Sequence, residues 1–372
     1  MDASQIARRF PLVARPRPAC LPLTERVREV SELARSAERD GKLSLAAAAQ
    51  NKAALIASDC GMPLLARELC WRHAEVYLCA HPLSAQEARY ALEPVVNIAR
   101  LLIRDRDASG AYSLLDSLVQ AARARGCAEV DGHTVSFTDL TATDEERHQL
   151  HQWLWTVLLG DGTRALVVAG DWEGARSHAR RHRGVGQRLL DGRQVEVLAR
   201  CLAGDPVDAY AFLGDSVPTE PWEHAVSSCL AVLCRHLSGR DDEAVREAMV
   251  KSYRNLDTTA GLDLFRARIG LTALDLTEPD PALATAITSR LLPEAASCRN
   301  GYVAREVLTH PSCRERLEPP AEKILDAAVS SSGLGLGHMP TPLVRDLLQA
   351  AESGATTTER LIAREQPTGS RT

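Results

Sequence analysis

"ALVVAGDWEGARSHARRHRGVGQRLLDGRQVEVLARCLAGDPVDA", from Ala165 to Ala209, decides how this chain is built. It holds one turn twice, "AGDWEGA" (Ala169–Ala175) and "AGDPVDA" (Ala203–Ala209), and a third copy, "SGRDDEA", follows at Ser238–Ala244. The turn glycines Gly170, Gly204 and Gly239 are 34 and 35 residues apart. Each closes an apolar run of helical periodicity, where glycine suits the left-handed residue just past a helix end. Acidic residues and an alanine follow each glycine, as expected at the start of the next helix. "DRDASGA" (Asp105–Ala111) repeats the logic, and "SDCGMPLLA" (Ser58–Ala66) is a looser copy. The unit is a helix–turn–helix pair, which cannot bury its apolar face alone and must stack on its neighbours.

The period matches the roughly 34 residues of tetratricopeptide repeats. From Leu43 to Leu292 the chain resembles that family in its period, its small turn residues and its apolar spacing. It departs from the pattern in lacking most of the Trp and Tyr of the first helix and the Pro that ends the second. The resemblance implies an all-α fold, a tetratricopeptide-like right-handed α-solenoid of helix–turn–helix pairs with one small insertion. The expected organisation is a flexible Arg- and Pro-rich leader at 1–22, the solenoid at 23–330, and a linker, short helix and disordered tail at 331–372. Within the solenoid the turn alanines Ala111 and Ala175 stand 64 apart, and the excess is the 126–146 insertion. There "VDGHTVSF" has the Asp-Gly and β-branched content of a hairpin, and Thr143 is placed to cap the helix that follows.

Composition narrows the function classes. The 372 residues are 45% hydrophobic and 25% charged, with a net charge of −5 and a pI near 6.1. That balance speaks against direct nucleic-acid or membrane-surface binding, which leaves a basic footprint. Ten cysteines are scattered without C-x-x-C spacing, mostly in apolar helical runs, and point to a reduced, cytoplasmic protein. No run of about 18 apolar residues marks a membrane span. The sequence carries no P-loop, H-E-x-x-H, G-x-S-x-G or kinase signature, and "GLGLG" follows no predicted strand, so no nucleotide or other cofactor is expected.

Three amides stand out. Asn51, Asn97 and Gln194 lie 15, 14 and 15 residues before their turn alanines, in the first helix of their repeats. That helix lines the concave groove of the family the chain resembles. A side-chain amide offers donors and acceptors together and can pair with both the N–H and the C=O of an extended peptide. Six arginines crowd residues 176–193, with Gly184-Val185-Gly186 among them. Arg176, Arg180, Arg183, Arg188 and Arg193 are candidates for reading an acidic or phosphorylated group, since guanidinium pairs bidentately with carboxylate or phosphate. Asp191 and Glu196 stand near enough to neutralise part of that charge. His148 with His151, and His178 with His182, each share a helix face, but neither pair has a third ligand at metal-site spacing, so no metal is expected.

The stretch from Asp161 to Asp205 also resembles proteins of actinobacteria encoded beside genes for ribosomally made, modified peptides. That second resemblance implies a helper that binds a precursor peptide, or a subunit that recognises or eliminates phosphorylated Ser or Thr. Were the chain itself the enzyme, His178 or His182 would serve as general base. The main expectation is a non-catalytic, cytoplasmic peptide- or protein-binding scaffold with no catalytic residue. A sensor module of a transcription regulator is the further alternative, disfavoured because the leader is too short for a helix-turn-helix.

Overall fold

Alanine, leucine and arginine favour helix, and in the computed structural model, which describes residues 1–278 and 280–365, helices make up the regular structure apart from one hairpin. In chain order the elements are α1 (Ala3–Arg9), α2 (Leu23–Asp40), α3 (Leu43–Asp59), α4 (Pro63–Leu78), α5 (Ala85–Arg104), α6 (Ala108–Ala124), β1 (Cys127–Val130), β2 (His133–Ser136) and α7 (Asp144–Val157). A π-helical turn (Leu158–Gly162) leads into α8 (Thr163–Val168). There follow α9 (Trp172–Arg181), α10 (Asp191–Leu202), α11 (Pro206–Gly214), α12 (Pro221–Leu237), α13 (Glu243–Arg254), α14 (Asp263–Thr277), α15 (Pro281–Ser297) and α16 (Gly301–Leu308). The last three are α17 (Pro311–Arg314), α18 (Pro319–Ser332) and α19 (Thr341–Glu365).

The chain divides into two compact units. Among the described residues the first comprises 22–165 and 333–365. In it α2 to α6 pack each on the next, and α19 returns to lie on α2, α3 and α4. Alanines 46, 47, 49, 53 and 57 of α3 are buried, so small side chains let helices approach from several sides. The Asp59 carboxylate, at the C-terminal end of α3, is buried beside Arg26 at 2.5 Å and Arg104 at 3.1 Å. The insertion forms the expected hairpin, with β1 antiparallel to β2 and Cys127 opposite Ser136. Asp131 and Gly132 turn it with φ of 54 and 79°, as a tight Asp-Gly turn requires. Thr143 caps α7 and shares a capping box with Glu146.

The second unit comprises residues 1–21 and 166–332. Gly170, Gly204 and Gly239 all have left-handed φ, at 76, 95 and 66°, and turn α8 into α9, α10 into α11 and α12 into α13. Helices α10, α12, α14 and α16 lie side by side in that order, and each packs on a helix that follows it in the chain.

Both ends differ from expectation. Residues 1–22, read as a flexible leader from their Arg and Pro content, carry α1 and a bonded extended segment. Ile6, Phe10, Leu12 and Cys20 there are buried, and these scattered apolar positions outweigh the polar average. The short helix placed near Leu343–Gly354 is the 25-residue α19, held by Leu347, Ala350 and Ile362 in the core of its unit. Of the tail expected to be disordered, 366–372 lies outside the described residues.

Candidate functional site

Gln194 sits in the first turn of α10, fully buried. Its Oε1 accepts the backbone N–H of Leu12 at 2.7 Å, and its Nε2 donates to the Leu12 carbonyl at 2.6 Å and to the Leu189 carbonyl at 2.7 Å. One amide thus takes both backbone groups of one residue in an extended segment, as a β-strand neighbour would. The segment belongs to the same unit of the same chain.

The rest of that segment, here called the strap, is fixed residue by residue. Arg9 donates from Nε to Asp275 at 2.7 Å, and its Nη1 lies 3.8 Å from Glu306. Phe10 and Leu12 are buried, while Arg15 reaches Asp191 at 2.5 Å. The Arg17 N–H donates to the Gly261 carbonyl at 2.9 Å, and its guanidinium lies 4.0 Å above the Tyr302 ring. At the far end the Cys20 N–H donates to Asn300 Oδ1 at 3.0 Å, and the Cys20 carbonyl accepts from the Gly301 N–H at 2.9 Å. A side chain at Gly301 would come within 2.5 Å of Ser332 Oγ and 3.2 Å of that carbonyl, so glycine permits the close approach. The lining is acidic where the strap is basic. Burial raises the Asp275 carboxyl, but hydrogen bonds from His310 and Arg9 outweigh it and hold the group below the usual aspartate value.

The opening arginines have inward partners. Glu196, two residues after Gln194 and fully buried, accepts from Arg180 at 2.5 and 2.8 Å, from Arg200 at 2.9 Å and from Arg176 at 3.1 Å. Burial opposes its charge, yet the three guanidiniums keep it below the ordinary glutamate value. Arg188 is held by buried Glu223 at 2.5 Å, which also accepts the Leu189 N–H and the Thr219 hydroxyl, both at 3.0 Å. Arg193 is nearly buried and donates to Ser216, Gly186 and Phe212, with its guanidinium 4.0 Å above the Phe212 ring. Arg183 is exposed, at a left-handed φ of 54°.

Asn51 and Asn97 lie in the first unit and bond to each other. Asn97 Nδ2 donates to Asn51 Oδ1 at 3.2 Å, and Asn97 Oδ1 accepts from Arg100, which holds Asp161 at 2.8–2.9 Å. Asn51 Nδ2 donates in turn to Glu93 at 3.4 Å. They form a polar ladder across α3 and α5. His178 is buried with its ring centroid 4.5 Å from that of half-buried His182, which leaves the first of them no exposed face for a substrate.

Reading the sequence missed Asp275, Glu306, Asn300, Gly301 and Tyr302, whose partners lie some 260 to 300 residues away in the chain; only the Asn-Gly pair, a helix-start signal, was visible locally. Among the described residues no group of three or more His, Cys, Asp or Glu is placed to hold a metal ion, and no helix is long and apolar enough to cross a membrane. Compared with described families, with curated proteins and with solved structures, the chain finds no match.

Proposed function

We propose that the 166–332 unit is a non-catalytic, tetratricopeptide-like scaffold that holds an extended peptide segment along α10, α14 and α16, in a cytoplasmic peptide- or protein-binding protein. The observation that carries this reading is the pair of hydrogen bonds from Gln194 to the N–H and C=O of Leu12. A groove that satisfies backbone groups in this way accepts many sequences, and charged side chains around it then select among them. Asp191, Asp275 and Glu306 favour a basic segment over the acidic or phosphorylated one first expected. Arg176, Arg180 and Arg188 are engaged by buried glutamates, so an anion would have to compete with Glu196 and Glu223. The Asn51–Asn97 ladder lends its own unit a weaker version of the same chemistry, because those amides already satisfy each other.

The experiment is a peptide array of 12-residue segments graded in charge and apolar content, overlaid with the intact protein and with Gln194→Leu. Retention of basic-apolar peptides by the intact protein, lost in the variant, supports the scaffold. Retention of none, by the intact protein and equally by a variant whose own segment is loosened (Leu12→Ser with Arg15→Ala), sinks it, and a change of mass in the retained peptides would move the reading to a peptide-modifying enzyme.

A further inference from the structure

We propose that residues 9–20 are a built-in occupant of this groove, which closes it to an external extended segment of the same chemistry: a basic residue, an apolar-x-apolar step, and two further arginines. This rests on the scaffold reading, which it deepens by naming the ligand class and the way access is controlled.

Three observations converge. The strap is held as a ligand would be, through backbone bonds at Leu12, Arg17 and Cys20 and side-chain anchors at Arg9 and Arg15, and these contacts come from α10, α14, α16 and the loop before α14. Its polar anchors are graded: Arg9 and Asp275 are each about 14% exposed, whereas Arg15 is 61% exposed over a nearly buried Asp191. An anchor on the solvent side is one that a competitor can displace first. Finally, Pro11, Pro16 and Pro18 lack the N–H needed for helix or sheet and keep the segment extended, so release costs it no secondary structure of its own.

An occluded groove lowers apparent affinity by the fraction of molecules whose strap is out. Weakening the strap without touching the lining must therefore tighten binding of an external segment. The test uses full-length protein and a fluorescein-labelled peptide of residues 8–19, RRFPLVARPRPA, with a scrambled acidic peptide as control. The release variant carries Leu12→Ser and Arg15→Ala. Polarisation is expected to show at least about tenfold tighter binding than the unaltered chain, abolished by adding Gln194→Leu, with the acidic control silent. If release leaves affinity for the basic peptide unchanged while both proteins still retain array peptides, the strap is not a competitor and this inference fails while the scaffold reading stands. If neither protein retains any peptide, both fail together.

A second readout needs no variant and so survives misfolding of the first. Cys20, the last residue of the strap, is 1% exposed. Maleimide labelling of Cys20, located by mass spectrometry, should rise when millimolar strap peptide is added to the unaltered chain. Labelling that stays flat at saturating peptide overturns the displacement.

Discussion

Glu196 shows how a single residue decides the role of a charged stretch. A carboxylate with no exposed surface binds Arg176, Arg180 and Arg200, so two of the arginines that look like an anion site from the sequence also clamp α9 to α10. Glu196→Gln should destabilise the protein by about 2–3 kcal/mol, since four charge-assisted hydrogen bonds from three arginines weaken at once. Arg180→Ala, at a half-exposed position, should cost clearly less. Urea unfolding of the two variants compares them, and an equal loss would place the energy elsewhere. Because Glu196 is depressed when folded, its contribution is full above the ordinary glutamate range and is lost as pH falls through the folded value. His73 adds to acid sensitivity by another route. It is buried in α4 with the Tyr77 ring 5.8 Å away, and burial pushes it down to about 3. Between pH 6.5 and 3 the unfolded imidazole takes up a proton that the folded one refuses, so stability falls as pH drops, by up to about 1.4 kcal/mol per pH unit. His73→Phe should flatten stability against pH across that window in denaturant titrations; an unchanged slope would mean that His73 is protonated in the fold.

Elements were legible where their signals are local. The Asp-Gly pair, the β-branched residues beside it and Thr143 each act within four residues, and the hairpin and the start of α7 follow them. What the hairpin does was not legible, because its partner lies 60 residues earlier. Trp71 of α4 stacks on His133 with ring centroids 4.0 Å apart and donates its Nε1–H to Asp131 at 3.2 Å, while Arg67 Nε lies 2.8 Å from the same carboxylate. The insertion is thus a docked clasp on α4, and the carboxylate that shapes its turn is also its anchor. Gly132→Val should cost about 1–3 kcal/mol, since a β-branched residue cannot take a φ of 79° without strain. Asp131→Ala should cost about 1 kcal/mol through the lost acceptor. Thermal unfolding is the measurement, and a silent Gly132→Val would show that the turn relaxes into another form.

At the scale of the molecule, the periodic turns gave away helix pairing, while the two-unit division and the docked ends did not show. Both depend on contacts between residues far apart: Leu12 meets Gln194 across 182 positions and Arg9 meets Asp275 across 266, where no local pattern reaches. Averaged composition also misled at the ends, because four buried apolar residues suffice to dock a segment that is otherwise Arg and Pro. The ten cysteines report on this burial over the whole chain. Cys79 and Cys127 are exposed, whereas Cys20, Cys60, Cys70, Cys201, Cys229, Cys234 and Cys313 are buried. Burial pushes Cys70, Cys229 and Cys313 up to about 12. The Cys234 thiol, 3.4 Å from Cys201, is raised further by that hydrogen bond and then by burial. Since the thiolate is the reacting form, a thiol reagent at pH 8 should modify Cys79 and Cys127 in a fast phase. The buried seven should wait for denaturant, with half-buried Cys298 between. Mass spectrometry of the fast-labelled peptides identifies them, and rapid labelling at Cys229 or Cys234 would mean that the α10–α12 packing opens in the native protein and that the lining of the groove is less fixed than its hydrogen bonds imply.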